Sequence, residues 1–190
     1  MVNVAPEMVL PAPQSLAIAY APAAVRPQLR WLLLLDLRLQ GILAKVQEPL
    51  IAQIRLAWWR DMLGKVPEER PKGEPLLARL AELEPNTSLI EAAIGTVNAT
   101  ELQLAGGDDA AIARARSICS AYASWTGADL QMAEMLAIAW GEQASDVIKS
   151  TRALRPLSIL ALAEQLERGT IQPGILGAGV RLSWHALTGR

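Results

Sequence analysis

Phenylalanine is absent from this chain, and cysteine and histidine occur once each, as Cys119 and His185. Each scarcity excludes a class of chemistry. A lone cysteine builds neither a disulfide framework nor a cysteine-based zinc site within one chain, and it makes a reducing compartment the simpler setting. A lone histidine leaves no second imidazole for a two-histidine metal site. His185 follows Trp184 near the carboxyl end, where it is expected to help satisfy the last carbonyls of a helix, and it is given no catalytic role. Charge of one sign is also missing: 18 Lys and Arg face 19 Asp and Glu, for a net charge of −1. With no arginine-rich arm to follow a phosphate backbone, nucleic acid is not an expected partner. There is no glycine-rich phosphate loop and no nucleophile elbow. The longest strongly apolar run, Trp31 to Leu35, is stopped by Asp36 and Arg38, far short of the roughly 20 residues that span a bilayer. Met1 to Gln14 carries Glu7 and three prolines and has no positive leader before its apolar part, so no secretory signal is expected. These absences point to a soluble, cytoplasmic protein without a transmembrane segment, and they leave contact with a membrane surface open.

What the chain has is alanine and leucine. Hydrophobic residues make up 52%, β-branched residues are scattered, and the expected class is all-α. A chain of 190 residues can bury a core and normally forms one domain. Residues 1–14 are expected to be an extended lead, and residues 15–190 a single helical domain. Ser15 is placed as the cap of a short helix to Tyr20 that packs on the following hairpin. Helices are then expected over 27–43 and 49–63, with the charged, proline-broken segment 64–73 as a surface loop. Further helices follow over 75–83, from a Thr87 cap to Leu104, from an Asp108 cap to Trp125, and from Ala128 towards Ile148 with Gly141 as an interruption. The last two run over 156–168 and 173–187. The sum is a bundle of about eight helices.

The stretch from Glu48 to Asp61 is apolar on nearly every side at about 100° per residue, which places it near the middle of the domain, surrounded by other helices. On the preceding helix, Leu29, Leu32, Leu33, Asp36, Gln40 and Leu43 share a face, so a carboxylate lies in the middle of a leucine surface. In an antiparallel hairpin bent near Val46, Asp36 and Arg55 lie at similar heights, roughly 14 Å from the bend. Either they form a buried pair, or both reach water at a cleft. Glu142 and Asp146 are spaced four apart, which suits two carboxylates on one Mg²⁺ ion and equally suits a solvated helix face. Trp31, Trp58, Trp59 and Trp140 could line a tunnel for a long hydrocarbon, although core packing is the plainer account.

Several of these residues carry a resemblance. Leu16 to Pro22, then Arg26-Pro27, and above all Glu48-Pro49 with the run from Arg55 to Asp61 (RLAWWRD) resemble the squalene/phytoene synthase family. The similarity is to its divergent branch, which includes relatives of a mitochondrial complex I assembly factor. Leu154 to Leu157 and the ending from Trp184 to Arg190 agree with it. The resemblance is good over residues 14–63 and patchy afterwards. It implies an isoprenoid synthase-like helical bundle, here truncated. In active members, two acid-rich motifs bind Mg²⁺ and the diphosphates of two prenyl substrates.

This chain departs from both motifs. The first would fall on Asp36 and Gln40, which keeps one acid and makes the two residues relic catalytic candidates. The second would be at best a remnant at Glu142 and Asp146. Where relatives carry further acids, this chain has Asn98 and Glu101. Without those fixed charges little turnover is expected. The expected function is therefore a non-catalytic protein that binds an isoprenoid or lipid ligand or a protein partner, in the manner of an assembly factor. Ligand-binding candidates are Asp36, Arg55, Trp58, Trp59 and Asp61, and no cofactor is needed. The alternative is a head-to-head prenyl transferase acting on farnesyl or geranylgeranyl diphosphate, with Mg²⁺ held by Asp36, Glu142 and Asp146. A helical module of unrelated function is the third possibility.

Overall fold

A computed structural model describes residues 9–45, 47–83, 87–142, 150–169 and 177–188. Among these there are nine α-helices and no strands, as an alanine- and leucine-rich composition requires. The helices are α1 (Ala12–Tyr20), α2 (Arg26–Lys45), α3 (Pro49–Gly64), α4 (Pro75–Leu83), α5 (Thr87–Leu104), α6 (Ala110–Thr126), α7 (Leu130–Gly141), α8 (Arg155–Glu167) and α9 (Gly177–Thr188). Pro13, Pro27, Pro49, Pro75 and Pro156 each occupy one of the first two positions of a helix, where the missing N–H is no loss and the fixed φ suits the first turn. Gly127 ends α6 in the left-handed region at φ 64°, and Ala128 N–H then reaches back to the Ala123 carbonyl at 3.0 Å, closing the helix end.

The middle of the fold is α2. It touches α1, α3, α4, α5 and α6, and every residue from Trp31 to Asp36 is buried. The indole N–H of Trp31 ties it to α4 through the Leu76 carbonyl, at 2.7 Å. Around it, α6 packs between α5 and α7, α7 packs on α8, and α8 on α1 and α9. The residues of α8 from Pro156 to Ala163 are all buried.

Several expectations change. The expected central helix, α3, lies at the side of the bundle against α5 and α2. It buries Ala52, Leu56, Trp59, Met62 and Leu63 but leaves Leu50, Ile51, Ile54 and Trp58 exposed. An all-round apolar pattern records what a helix could bury, and here only one side of α3 has neighbours. Helix α1 begins at Ala12, so the lead is shorter than 14 residues; its main neighbour is α8 rather than the hairpin. Ser15 is inside α1, and its hydroxyl donates to the Leu10 carbonyl at 3.2 Å. The cap before α6 is Asp109 rather than Asp108. Asp129 caps α7 by accepting the Met132 N–H at 2.6 Å. The expected continuation of α7 to Ile148 falls on residues 143–149, and the expected start of the last helix at Pro173 falls on 170–176; both lie outside the described residues.

The loop after α3 is exposed as expected, except that Arg70 turns inward. Its guanidinium donates to the carbonyls of Met62 and Leu63, at 3.2 and 3.5 Å, and so satisfies acceptors that the end of α3 leaves over.

Helices α6 and α7 approach so closely that a Cβ built on Gly141 would lie 2.5 Å from the Ile112 Cα and N atoms. Backbone cannot yield as a side-chain tip can. Gly141→Ala should therefore destabilise the protein by about 2–3 kcal/mol, the upper range for overpacking, as read by urea denaturation. The same change at Gly64, where a Cβ meets nothing within 4 Å, should cost far less.

Candidate functional site

The outer faces of α2 and α3 diverge into a groove of about 710 Å³. This lies within the range of small-molecule sites. Apolar side chains form most of it, chiefly Leu37 and Ile42 from α2 and Ile54, Trp58 and Trp59 from α3. The two indoles meet edge to face, with centroids 5.3 Å apart, a favourable arrangement for an aromatic pair. Three cations, Arg38, Lys45 and Arg55, line the groove against one carboxylate, Glu74. Arg38 donates to Glu74 at 3.1 Å. Among the described residues, Lys45 and Arg55 have no hydrogen-bond or ion-pair partner. A surplus of positive charge thus rims an apolar surface in a protein whose net charge is −1.

Asp36 lies elsewhere. It projects from α2 into the core, and both its oxygens receive Nη1 of Arg114, at 3.2 and 3.0 Å. The expected Asp36–Arg55 pair is not formed: the counter-charge comes from α6, while Arg55 is exposed at the groove. Equal height along a hairpin does not decide the match, because the direction in which each side chain leaves its helix does. Arg114 Nη2 stands 3.9 Å from Glu164 on α8, and the guanidinium carbon lies 5.9 Å from the Trp140 ring centroid. The Trp140 indole N–H donates to Glu164 at 3.3 Å, and Arg168 donates to Glu164 at 2.8 Å. Burial pushes the Asp36 carboxyl up from its ordinary value; the attraction and hydrogen bonds of Arg114 oppose this without cancelling it, and Glu164 adds to the rise.

The other expected site residues scatter. Gln40 is half-buried and donates to Gln103 on α5 at 3.3 Å. Asp61 is exposed on α3 and does not line the groove. Glu142 is exposed at the end of α7, and Asp146 lies outside the described residues. Asn98 is exposed, and Glu101 pairs with Arg60 at 2.7 Å. Of the expected set, Arg55, Trp58 and Trp59 share the groove.

The donor set at Asp36 does not fit Mg²⁺. A dication there would need oxygens that Arg114 already takes, and it would sit beside a fixed positive charge. Glu164 lies across the same guanidinium and is itself held by Arg168. Among the described residues, no three His, Cys, Asp or Glu side chains converge as a metal site.

Two further groups can be weighed as nucleophiles. His185 is buried, with Nε2 3.0 Å from the Ser158 hydroxyl. That contact ties α9 to α8, from the last turn of α9 where its place in the sequence puts it. The Ser158 hydroxyl donates to the Arg155 carbonyl at 2.9 Å and lies 2.8 Å from Ser150 Oγ. These contacts join α8, α9 and the residues just before α8 at one buried point. Cys119 is buried and its thiol is pushed up by burial, which makes it unreactive as a thiolate.

Sequence reasoning missed Arg114, Glu164, Arg38, Lys45 and Gly41. A signal existed for Arg114, which stands four residues before the buried Ile118 and hence on a buried stripe of α6. No family model, curated protein or solved structure matches this chain, and the chemistry of the groove rests on its own geometry.

The pair at Asp36 has an asymmetric dependence on its partners. Arg114→Met strands a carboxylate in the core and should cost about 3–5 kcal/mol at neutral pH. Because the folded-state pKa of Asp36 is raised above its unfolded value, and further so in this variant, stability should be lost as pH rises through the folded pKa and fully present below the unfolded one. Acidification, or adding Asp36→Asn, should therefore restore much of the loss. Asp36→Asn alone should be mild, since Arg114 keeps Glu164 and Trp140. Urea denaturation of the three variants at neutral and acid pH checks this; an Arg114→Met loss that does not shrink on acidification would refute it.

Proposed function

We propose that this chain is a non-catalytic, squalene/phytoene synthase-like protein that binds an amphipathic anion of isoprenoid type in the α2–α3 groove. The observation that carries this reading is the pair of cations, Lys45 and Arg55, without a partner among the described residues, beside a tryptophan-lined apolar groove of about 710 Å³. An apolar surface gains from a hydrocarbon chain, and the cations gain from an anionic head. The neutralisation of Asp36 by Arg114 supports binding without turnover. Ionising a diphosphate needs several fixed charges at the leaving oxygens, and the one acid kept from the first motif is engaged inside the bundle. A cytoplasmic location, peripheral to the membranes in which such amphiphiles reside, goes with this reading. No described helix is long and apolar enough to cross a membrane.

A second reading is a protein partner. It is favoured by the apolar strip that runs outward from the groove along α3 through Ile54, Ile51 and Leu50, all exposed. A contiguous strip of this kind commonly marks an interaction surface.

Titration of the tryptophan fluorescence with farnesyl diphosphate tests the first reading. Wild type should show a saturable change. The Lys45→Glu, Arg55→Glu variant should bind at least tenfold more weakly, about 1.4 kcal/mol, with an unchanged melting temperature. No diphosphate should be released with Mg²⁺ above a boiled control. Release would favour the head-to-head transferase, and an equal affinity of the double variant would remove the groove as the site.

A further inference from the structure

One residue that lines the α2–α3 groove belongs to neither helix. Val9 stands in its wall with Leu37, Ile54 and Trp58, and it is 63% exposed. The next residue, Leu10, is buried in the core, and its carbonyl accepts the Ser15 hydroxyl at 3.2 Å, so the chain is fixed at this point. Residues 1–8 lie outside the described residues, but covalent geometry ties them to the groove. Met8 follows Val9 at about 3.8 Å, Cα to Cα, and Glu7 lies within about 7 Å.

Length and composition both suit the space. Extended, residues 1–8 span roughly 26–29 Å. The groove wall on α2 from Leu37 to Lys45 is about 12 Å long at 1.5 Å per residue. Within that wall a Cβ on Gly41 would meet nothing within 4 Å. Met1, Val2, Val4 and Met8 are apolar, and Glu7 is the one charged side chain of the segment. For the apolar residues the groove offers Leu37, Ile42, Ile54 and Trp58; for Glu7 it offers three cations against one carboxylate, and Lys45 and Arg55 have no partner among the described residues. Attachment separates this segment from other occupants. A short tether holds it at an effective concentration in the millimolar range, so contacts too weak to retain a free partner at micromolar concentration keep it in place.

We infer that residues 1–8 are the groove's own occupant: they cover its apolar wall, bring Glu7 to its cations, and are displaced when a free ligand enters. The segment is a tethered competitor that lowers the affinity of the site. The displacement rests on the groove being the ligand site; the docking of the segment does not.

The test compares the full chain with one in which residues 1–8 are replaced by a Gly-Ser repeat of the same length, both without ligand. The indole N–H signals of Trp58 and Trp59 in nitrogen-edited NMR spectra, assigned through Trp58→Phe and Trp59→Phe, should differ between the two chains. Those of Trp31, Trp125 and Trp140, which do not line the groove, should coincide. Glu7→Gln should move the two signals part of the way towards the replaced chain. Farnesyl diphosphate should bind the replaced chain about threefold or more tightly, because its groove is open at all times. Coincident Trp58 and Trp59 signals overturn the inference. So do signals that change with protein concentration instead, which would give the groove to a second copy of the chain. Differing signals with equal farnesyl diphosphate affinity overturn the displacement, and differing signals with no binding by either chain keep the segment in the groove and remove the ligand reading alone.

Discussion

The guanidinium of Arg114 lies between carboxylates from two helices and against the indole of a third, and so joins α2, α6, α7 and α8 at one point. Its contribution is positional before it is energetic. Bringing these charges out of water costs several kcal/mol per ion, so an apolar set of the same shape can be as stable. Loss of Arg114, which strands the Asp36 carboxylate, is what the bundle does not tolerate. The lock orients α2: with Asp36 turned inward, at about 100° per residue Leu37, Gly41, Lys45 and Ile42 fall roughly 100–240° away on the opposite side. The inward lock and the outward groove are thus two faces of one helix.

That arrangement gives Asp36 a structural meaning. A carboxylate that serves a metal ion is held open for that cation. Here the cation is part of the chain. Burial raises the carboxyl's pKa and Arg114 restrains the rise. Positive charge is then available elsewhere, at Lys45 and Arg55 on the outer side. A basic rim beside an apolar groove is the physical basis of the proposed binding role.

Helix α3 shows how the groove persists. Its buried residues anchor it to α5 and α2, while Ile54 and Trp58 remain exposed. Had α3 been enclosed, as its apolar pattern suggests, those side chains would have filled the space between α2 and α3. Apolar surface is thus left beside cations that have no partner among the described residues.

Much of the helical plan was legible in the sequence because it rests on local forces. Prolines at the first turns, the glycine that ends α6 and the alanine- and leucine-rich periodicity act within a few residues, and they determined the class and most of the boundaries. Arg55, Trp58 and Trp59 stand close together in the sequence, and the fold brings all three to one groove. The partner of Asp36 was not legible. Arg55 and Arg114 carry the same charge, and only the rotation of packed helices decides which of them meets the carboxylate 78 residues away in the chain. The same holds for Gly41: its composition says only that the helix is weakened there, and tertiary packing alone shows that the space it leaves is open. Sequence by itself determined which residues could form helices. The tertiary structure decided which faces were buried, because burial depends on neighbours that a local pattern does not contain.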